Sequence, residues 1–371
     1  MKKVLLLGPF PVGDKGLNGQ TIANQTLYEG LSEFYEVNKI NTLKNLEFTD
    51  KADQGKFKIG KFVKIVSTLI NENFNILFTK YDVIYMTPGQ SFLGFMRFTP
   101  YMLSSFVKNT PCYIHIHGGN FRKMYDKESK LKKKLMRFFI KRITGIIVLG
   151  SSLKSMFNGL VEDSKIFVCE NGVQDEIIAT KQEIIEKIER MKDSSKRKIL
   201  YLSNLMKEKG VLELLKVSEE LSEEEFEFNL AGEIEPDIKE RIEEYLKKYP
   251  VKINYHGIVN GKKKKELLLK NDIFILPTYY TNEGQPISIL EAYVTGCIVI
   301  TTNQGGICDI FKNNINGAMC IAKDIESIKS SINKVKDNSN FMKRNYQFGI
   351  KNFRKTNFIA KVRNIILEEL L

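Results

Sequence analysis

The chain has 371 residues, 43% of them hydrophobic and 27% charged, with a formal net charge of +13. That length exceeds one ordinary core and suits two domains, in a composition typical of globular chains. No apolar run reaches the roughly 18 residues that span a bilayer. Cys112, Cys169, Cys297, Cys308 and Cys320 are scattered, without the CxxC spacing of a zinc or redox site. They read as free thiols, most of them in or beside apolar runs.

Residues 4–7 are apolar and Gly8-Pro9 closes the run, too short for a signal peptide, so the expectation is the first strand of a cytoplasmic fold. A glycine-rich turn then leads through Asn18-Gly19-Gln20 into helical spacing over 21–34. Such a turn offers backbone N–H groups and a positive helix end to an anion. The spacing is not GxGxxG and no acidic residue closes the next strand, so a plain surface turn reads equally well.

Short β-rich runs follow at 83–86, 113–116 and 146–149, then at 199–202, 226–230, 273–276 and 298–301, alternating with amphipathic stretches. This alternation predicts parallel sheets joined by crossover helices. In Tyr113-Ile114-His115-Ile116-His117-Gly118-Gly119 the two histidines alternate, so both project to one face at a strand's carboxyl end. A structural role is the ordinary fate of a histidine, and no third metal ligand has suitable spacing. His117, beside the glycines, is the candidate for the site, with His115 supporting.

Residues 123–142 hold nine Lys and Arg against Asp126 and Glu128, which is +7 of the +13. Lys132, Lys133, Lys134, Arg137, Lys141 and Arg142 stand at helical spacing with Met136, Phe138 and Phe139. A solvated helix face explains such charges, and a helix lying on anionic lipid explains the charges and aromatics together. One basic patch is no nucleic-acid signature, and no nucleic-acid partner is expected.

A polar stretch over about 172–197 marks the domain junction, with a short exposed helix expected over 181–191. The boundaries read as 1–172, 173–350 and a closing helix over 351–371. After the strand at 199–202 comes Ser203-Asn204-Leu205-Met206-Lys207-Glu208-Lys209-Gly210. Lys209 at the carboxyl end of a leading strand suits a diphosphate, although surface lysines are commonly just solvated.

The segment Thr281-Asn282-Glu283-Gly284-Gln285-Pro286-Ile287-Ser288-Ile289-Leu290-Glu291 follows a buried strand. Gly284 and Pro286 make a turn where a helix starts, so the amides of Ile287 and Ser288 point at any phosphate and Glu291 lies about two turns along. The structural explanation makes Glu283 a helix-terminal carboxylate and Glu291 a helical residue paired with a lysine. It leaves the polar turn after the strand without a reason.

In this order and spacing, Glu283-x7-Glu291, Lys207-Glu208-Lys209-Gly210, Gly305-Gly306-Ile307-Cys308-Asp309 with Asn316-Gly317, Glu170-Asn171-Gly172-Val173 and His117-Gly118-Gly119 resemble the retaining glycosyltransferases of family 4. The resemblance spans nearly the whole chain. It implies the GT-B fold, two facing Rossmann-like domains with a crevice between them and a C-terminal helix returning to the first domain. It further implies that Glu283 contacts the donor sugar, Glu291 the nucleotide ribose, Lys209 the diphosphate and His117 the sugar near the reacting centre, while Gly19 lets the first loop approach the phosphates. Two positions depart from the family pattern: Asn204 stands where an arginine is common, and Asn18-Gly19 where two glycines are. Either Lys207 replaces the lost charge or the amides near Ile287 and Ser288 hold more of the anion, with Asn204 itself a further contact.

The reading is a retaining transferase that moves a sugar from a nucleoside-diphosphate sugar, UDP before GDP, to a glycan or lipid-linked saccharide of bacterial surface polysaccharide. It needs no metal or other cofactor and sits in the cytoplasm or on the inner membrane face. A GT-B nucleotide-sugar epimerase and a non-catalytic sugar-nucleotide-binding scaffold are the alternatives.

Overall fold

A computed structural model describes residues 1–11, 18–43 and 78–367. Positions 12–17 of the first glycine-rich turn lie outside the described residues. The chain divides into two compact units, one of Met1–Asn171 with Phe358–Leu371, the other of Gly172–Asn357.

The first unit is built on β1 (Lys3–Gly8), β2 (Glu36–Asn41), β3 (Val83–Met86), β4 (Cys112–Ile116), β5 (Gly145–Val148) and β6 (Ile166–Val168). All are parallel, in the order β2-β1-β3-β4-β5-β6. Side chains alternate between the faces of a strand, and here both faces are filled. Leu5, Leu7, Ile84, Met86 and Ile114 join one buried cluster, while Val4, Leu6, Val83, Tyr85 and Tyr113 join another. Two-sided burial is why these strands read as continuous apolar runs. The second cluster is closed by Ala23, Leu27 and Leu31 of the helix Gly19–Ser32 and by Phe358, Val362 and Ile366 of the helix Lys355–Leu367.

The second unit holds β7 (Arg197–Leu202), β8 (Phe226–Ala231), β9 (Ile253–Tyr255), β10 (Ile273–Leu276), β11 (Ile298–Thr301) and β12 (Gly317–Met319), again parallel, in the order β12-β11-β10-β7-β8-β9. The chain winds outward from β7 in one direction and from β10 in the other. The connections after those two strands therefore run on toward opposite edges of the sheet, and the carboxyl ends of β7 and β10 form the switch point, the place where open α/β sheets bind ligands.

Two expectations about the junction change. The helix Lys181–Asp193 is not an exposed linker: Ile184, Lys187 and Met191 are buried, so it belongs to the second unit. The closing helical stretch is two helices, Asn340–Asn352 and Lys355–Leu367. Phe341 and Phe353 pack in the core of the second unit and Phe358 in that of the first, so the unit boundary falls between Asn357 and Phe358.

Candidate active site

The loops after β7 and β10 meet at the switch point of the second sheet. Tyr279 N–H donates to the Glu208 carbonyl at 2.8 Å and ties them together. Gly210 closes the β7 loop with φ +78°, and a Cβ there would lie 2.3 Å from the Pro277 carbonyl oxygen. Only glycine permits that approach.

This closeness brings Lys209 against Glu283. The Lys209 ammonium lies 2.6 Å from Glu283 Oε2, and Thr278 Oγ1 donates to the same oxygen at 3.1 Å. The ammonium also lies 5.1 Å from the centre of the Tyr280 ring, within cation–π range. The Glu283 side chain is only 7% exposed, and such a buried carboxylate needs these donors. Its loop is fixed from behind by Gly305, whose φ is +57°; a Cβ there would sit 2.0 Å from the Glu283 carbonyl oxygen.

Downstream, Pro286 caps the helix Ile287–Val294 and supplies no side-chain acceptor. The amides of Ile287 and Ser288 have no hydrogen-bond partner among the described residues and stand half-buried at a positive helix end. Glu291 is buried on this helix, and Lys264 Nζ reaches its Oε1 at 2.9 Å. The lysine partner required by the structural explanation is therefore present. Asn204 lies exposed after β7 with its backbone carbonyl accepting from Tyr201 Oη at 3.0 Å. A cavity of about 380 Å³ opens beside the β10 loop, lined by Thr278, Thr302 and Gln304 next to Met319 and Ile321; the two hydroxyls and the Gln304 amide N–H already donate to Glu283, to the Thr278 carbonyl and to the Tyr280 carbonyl.

The first unit holds His117 and Gly19. His115 and His117 project to one face, as their alternation requires, with ring centres 4.2 Å apart. His115 is fully buried, and its Nδ1 lies 2.7 Å from Tyr85 Oη. Burial pushes His117 down to about 4, against an opposing pull from Asn171. Burial, then the neighbouring His117, holds His115 well below the usual imidazole range. Both rings are neutral at pH 7, able to accept or donate one hydrogen bond without charge. Gly19 opens its helix behind Asn18, whose side chain accepts from the Gln20 and Thr21 amides while Thr21 answers in a capping box. That duty explains an asparagine at this position.

The basic helix Lys130–Ile140 departs from its expectation. Met136 and Phe139 are buried in the core, and only Phe138 of the three named apolar residues is exposed. Lys132 pairs with Glu128 at 2.7 Å, Lys133 donates to the Asp126 carbonyl at 2.7 Å, and Arg137 to that of Gly159 at 3.2 Å. Lys134, Lys141 and Arg142 remain exposed.

Residues 180–352, nearly all of the second unit, match the family described as Glycosyl transferases group 1. The chain carries a group 1 glycosyltransferase domain. Among relatives of this glycosyltransferase is the UDP-Gal:alpha-D-GlcNAc-diphosphoundecaprenol alpha-1,3-galactosyltransferase of Escherichia coli, 26% identical over 319 residues, covering 78% of this chain and 76% of the relative. A 2-deoxystreptamine N-acetyl-D-glucosaminyltransferase of Niallia circulans is 26% identical over 147 residues, 38% of this chain and 37% of its own. Among solved structures, Anabaena HepE in complex with UDP-glucose superposes over 100% of both chains with TM-score 0.72 at 14% identity. The sucrose-phosphate synthase of Thermosynechococcus elongatus gives TM-score 0.75 at 14% identity, over 100% of this chain and 99% of that one. These likenesses show the fold, which is GT-B.

Lys264 and Thr278 are the residues that reading the sequence missed. Lys264 stands in Gly261-Lys262-Lys263-Lys264-Lys265-Glu266, a run that looks like solvated charge. Thr278 follows Pro277 directly after the buried strand, and that position was its one signal.

Proposed function

We propose that this glycosyltransferase moves a sugar from a UDP-sugar to a hydroxyl of a lipid-linked saccharide, with retention at the anomeric carbon. The observation that carries the reading is the buried Lys209–Glu283 pair beside the open amides of Ile287 and Ser288, at the switch point of the second sheet. The amides and Lys209 face the growing negative charge of the departing diphosphate, a preorganised arrangement that requires little rearrangement during reaction. Glu283 takes the sugar hydroxyls, and Glu291 the ribose diol. His117 acts as a neutral hydrogen-bonding group toward the sugar, and Gly19 leaves room for phosphate.

In the reaction the bond between the anomeric carbon and the phosphate oxygen breaks and a bond to the acceptor oxygen forms on the same face. The acceptor's proton passes to the leaving phosphate. Retention is inferred from the family resemblance. The lipid-linked acceptor and UDP are supported by the Escherichia coli relative and by the structural neighbour holding UDP-glucose. Lys209, the helix amides and Glu283 supply the recognition in this reading without a metal ion.

Thermal shift against UDP, GDP, ADP, TDP and CMP tests the donor, because a ligand at 100 times its Kd stabilises by about 2.7 kcal/mol. UDP is expected to respond most. Glu283→Ala is expected to abolish transfer in a chain that still melts cooperatively. Wild-type turnover in that variant would sink the assignment.

A further inference from the structure

Two neighbouring helices of the first unit, Thr99–Lys108 and Lys130–Ile140, stack Phe106 on Phe139 with ring centres 6.2 Å apart. Each already buries a full apolar face: Tyr101 and Met102 on one, Met136, Phe139 and Ile140 on the other. Each nevertheless presents a second apolar stripe to solvent. Leu103 and Val107 are 46% and 86% exposed, and Leu131, Leu135 and Phe138 are 78%, 40% and 41% exposed. The spacings are i, i+4 on the first helix and i, i+4, i+7 on the second, so each set lines one side of its helix. A surface helix ordinarily turns polar residues outward.

The charge beside these stripes has one sign. Lys130, Lys134 and Lys141 are exposed and make no ion pair among the described residues. The Arg142 guanidinium lies 3.7 Å from the centre of the Phe138 ring. Neither helix contains an aspartate or glutamate. The nearby Asp126 and Glu128 are occupied by Arg122 and Lys132.

We infer that this two-helix face docks the first unit on an anionic phospholipid bilayer, with Leu103, Val107, Leu131, Leu135 and Phe138 entering the headgroup boundary and Lys130, Lys134, Lys141 and Arg142 meeting lipid phosphates. A second copy of the chain is a poorer occupant. A two-fold contact puts this patch against itself, and like charges would then face each other. The inference deepens the lipid-linked acceptor reading and rests on it for its purpose, but not for its evidence. It also replaces the helix face drawn from sequence: Lys130 is added, while Lys132, Lys133, Met136, Arg137 and Phe139 are not in it.

Flotation of the full chain with vesicles tests it, using phosphatidylcholine alone and phosphatidylcholine mixed with phosphatidylglycerol, at low and high salt. The chain is expected to float with the mixed vesicles at low salt and to be released by high salt. Each lysine near the surface is worth about fivefold in partition, so Lys134→Gln with Lys141→Gln should lose about 25-fold. Leu131→Asp with Phe138→Asp should abolish flotation while circular dichroism melting stays that of wild type. Ile185→Asp, an exposed apolar position of the second unit, should leave flotation unchanged. The inference is overturned if the chain stays unbound with mixed vesicles at low salt, if neutral vesicles bind it equally, or if both double variants float as wild type does. It is also overturned if wild type sediments as a dimer that the aspartate pair converts to monomer. A UDP thermal shift on the same samples keeps the two ideas apart: its loss with flotation intact defeats the donor reading alone, and the reverse defeats the docking alone.

Discussion

Lys264→Met tests the Lys264–Glu291 pair directly. The two groups lie 2.9 Å apart with side chains 14% and 6% exposed, so removing the ammonium strands a carboxylate that water scarcely reaches. Breaking a buried pair from one side costs about 3 kcal/mol or somewhat more. For a unit of this size each kcal/mol moves Tm by roughly 2–4 °C, so the expected fall is about 6–12 °C. Lys264→Met with Glu291→Leu removes both charges and should recover most of that loss, giving a coupling of about 3 kcal/mol in the double-mutant cycle. Calorimetry of the four proteins gives this number. If the single variant melts within about 2 °C of wild type, or the two changes simply add, the pair is not holding Glu291 and the reasoning fails. A second readout concerns ligand: wild type should bind UDP more tightly than its 2′-deoxy analogue, and Glu291→Gln should erase much of that preference. A preference in the variant as large as that of wild type would remove Glu291 from the ribose.

Gly305→Ala forces a Cβ into the space 2.0 Å from the Glu283 carbonyl and so displaces the loop. Steady-state kinetics should show kcat/KM down by about 100-fold, the scale of a 1 Å misplacement, and an unchanged value would refute the fit. Lys209→Met leaves Glu283 with Thr278 as its donor, so the UDP thermal shift should vanish along with activity; a full shift would remove Lys209 from the diphosphate. His117 gives a pH dependence: the unfolded chain takes up the imidazole proton near pH 6.5 and the folded chain only near 4. The unfolded state therefore binds more protons between those values, and stability present above pH 6.5 is lost as pH falls through that window. Urea midpoints for His117→Asn should fall less steeply there than for wild type, and parallel curves would overturn the reading.

Among the described residues, the eight strands lying central in their sheets were legible as apolar runs. The four missed were β2, β6, β9 and β12, which are the edges of the two sheets. Three of them have three residues each, and β2, Glu-Val-Asn-Lys-Ile-Asn, is polar at most positions. An edge strand has one neighbour and keeps polar residues that discourage further pairing, so it carries little apolar signal. The same cause hid Lys264, because without β9 the lysine run after it had no place in a fold. Glu283, Glu291 and Lys209 were legible because each follows a strand that announced itself. Their mutual contacts depend on how closely the glycine-permitted loops approach, which spacing alone does not encode.

The helix Lys355–Leu367 begins among residues of the second unit and ends in the core of the first. This bears on the order of biosynthesis. While the ribosome is still making the second unit, the patch of Val4, Leu6, Leu27 and Leu31 lacks Phe358, Val362 and Ile366. The unit translated first is thus the one completed last, and a nascent chain arrested before Phe358 would expose that patch to chaperones.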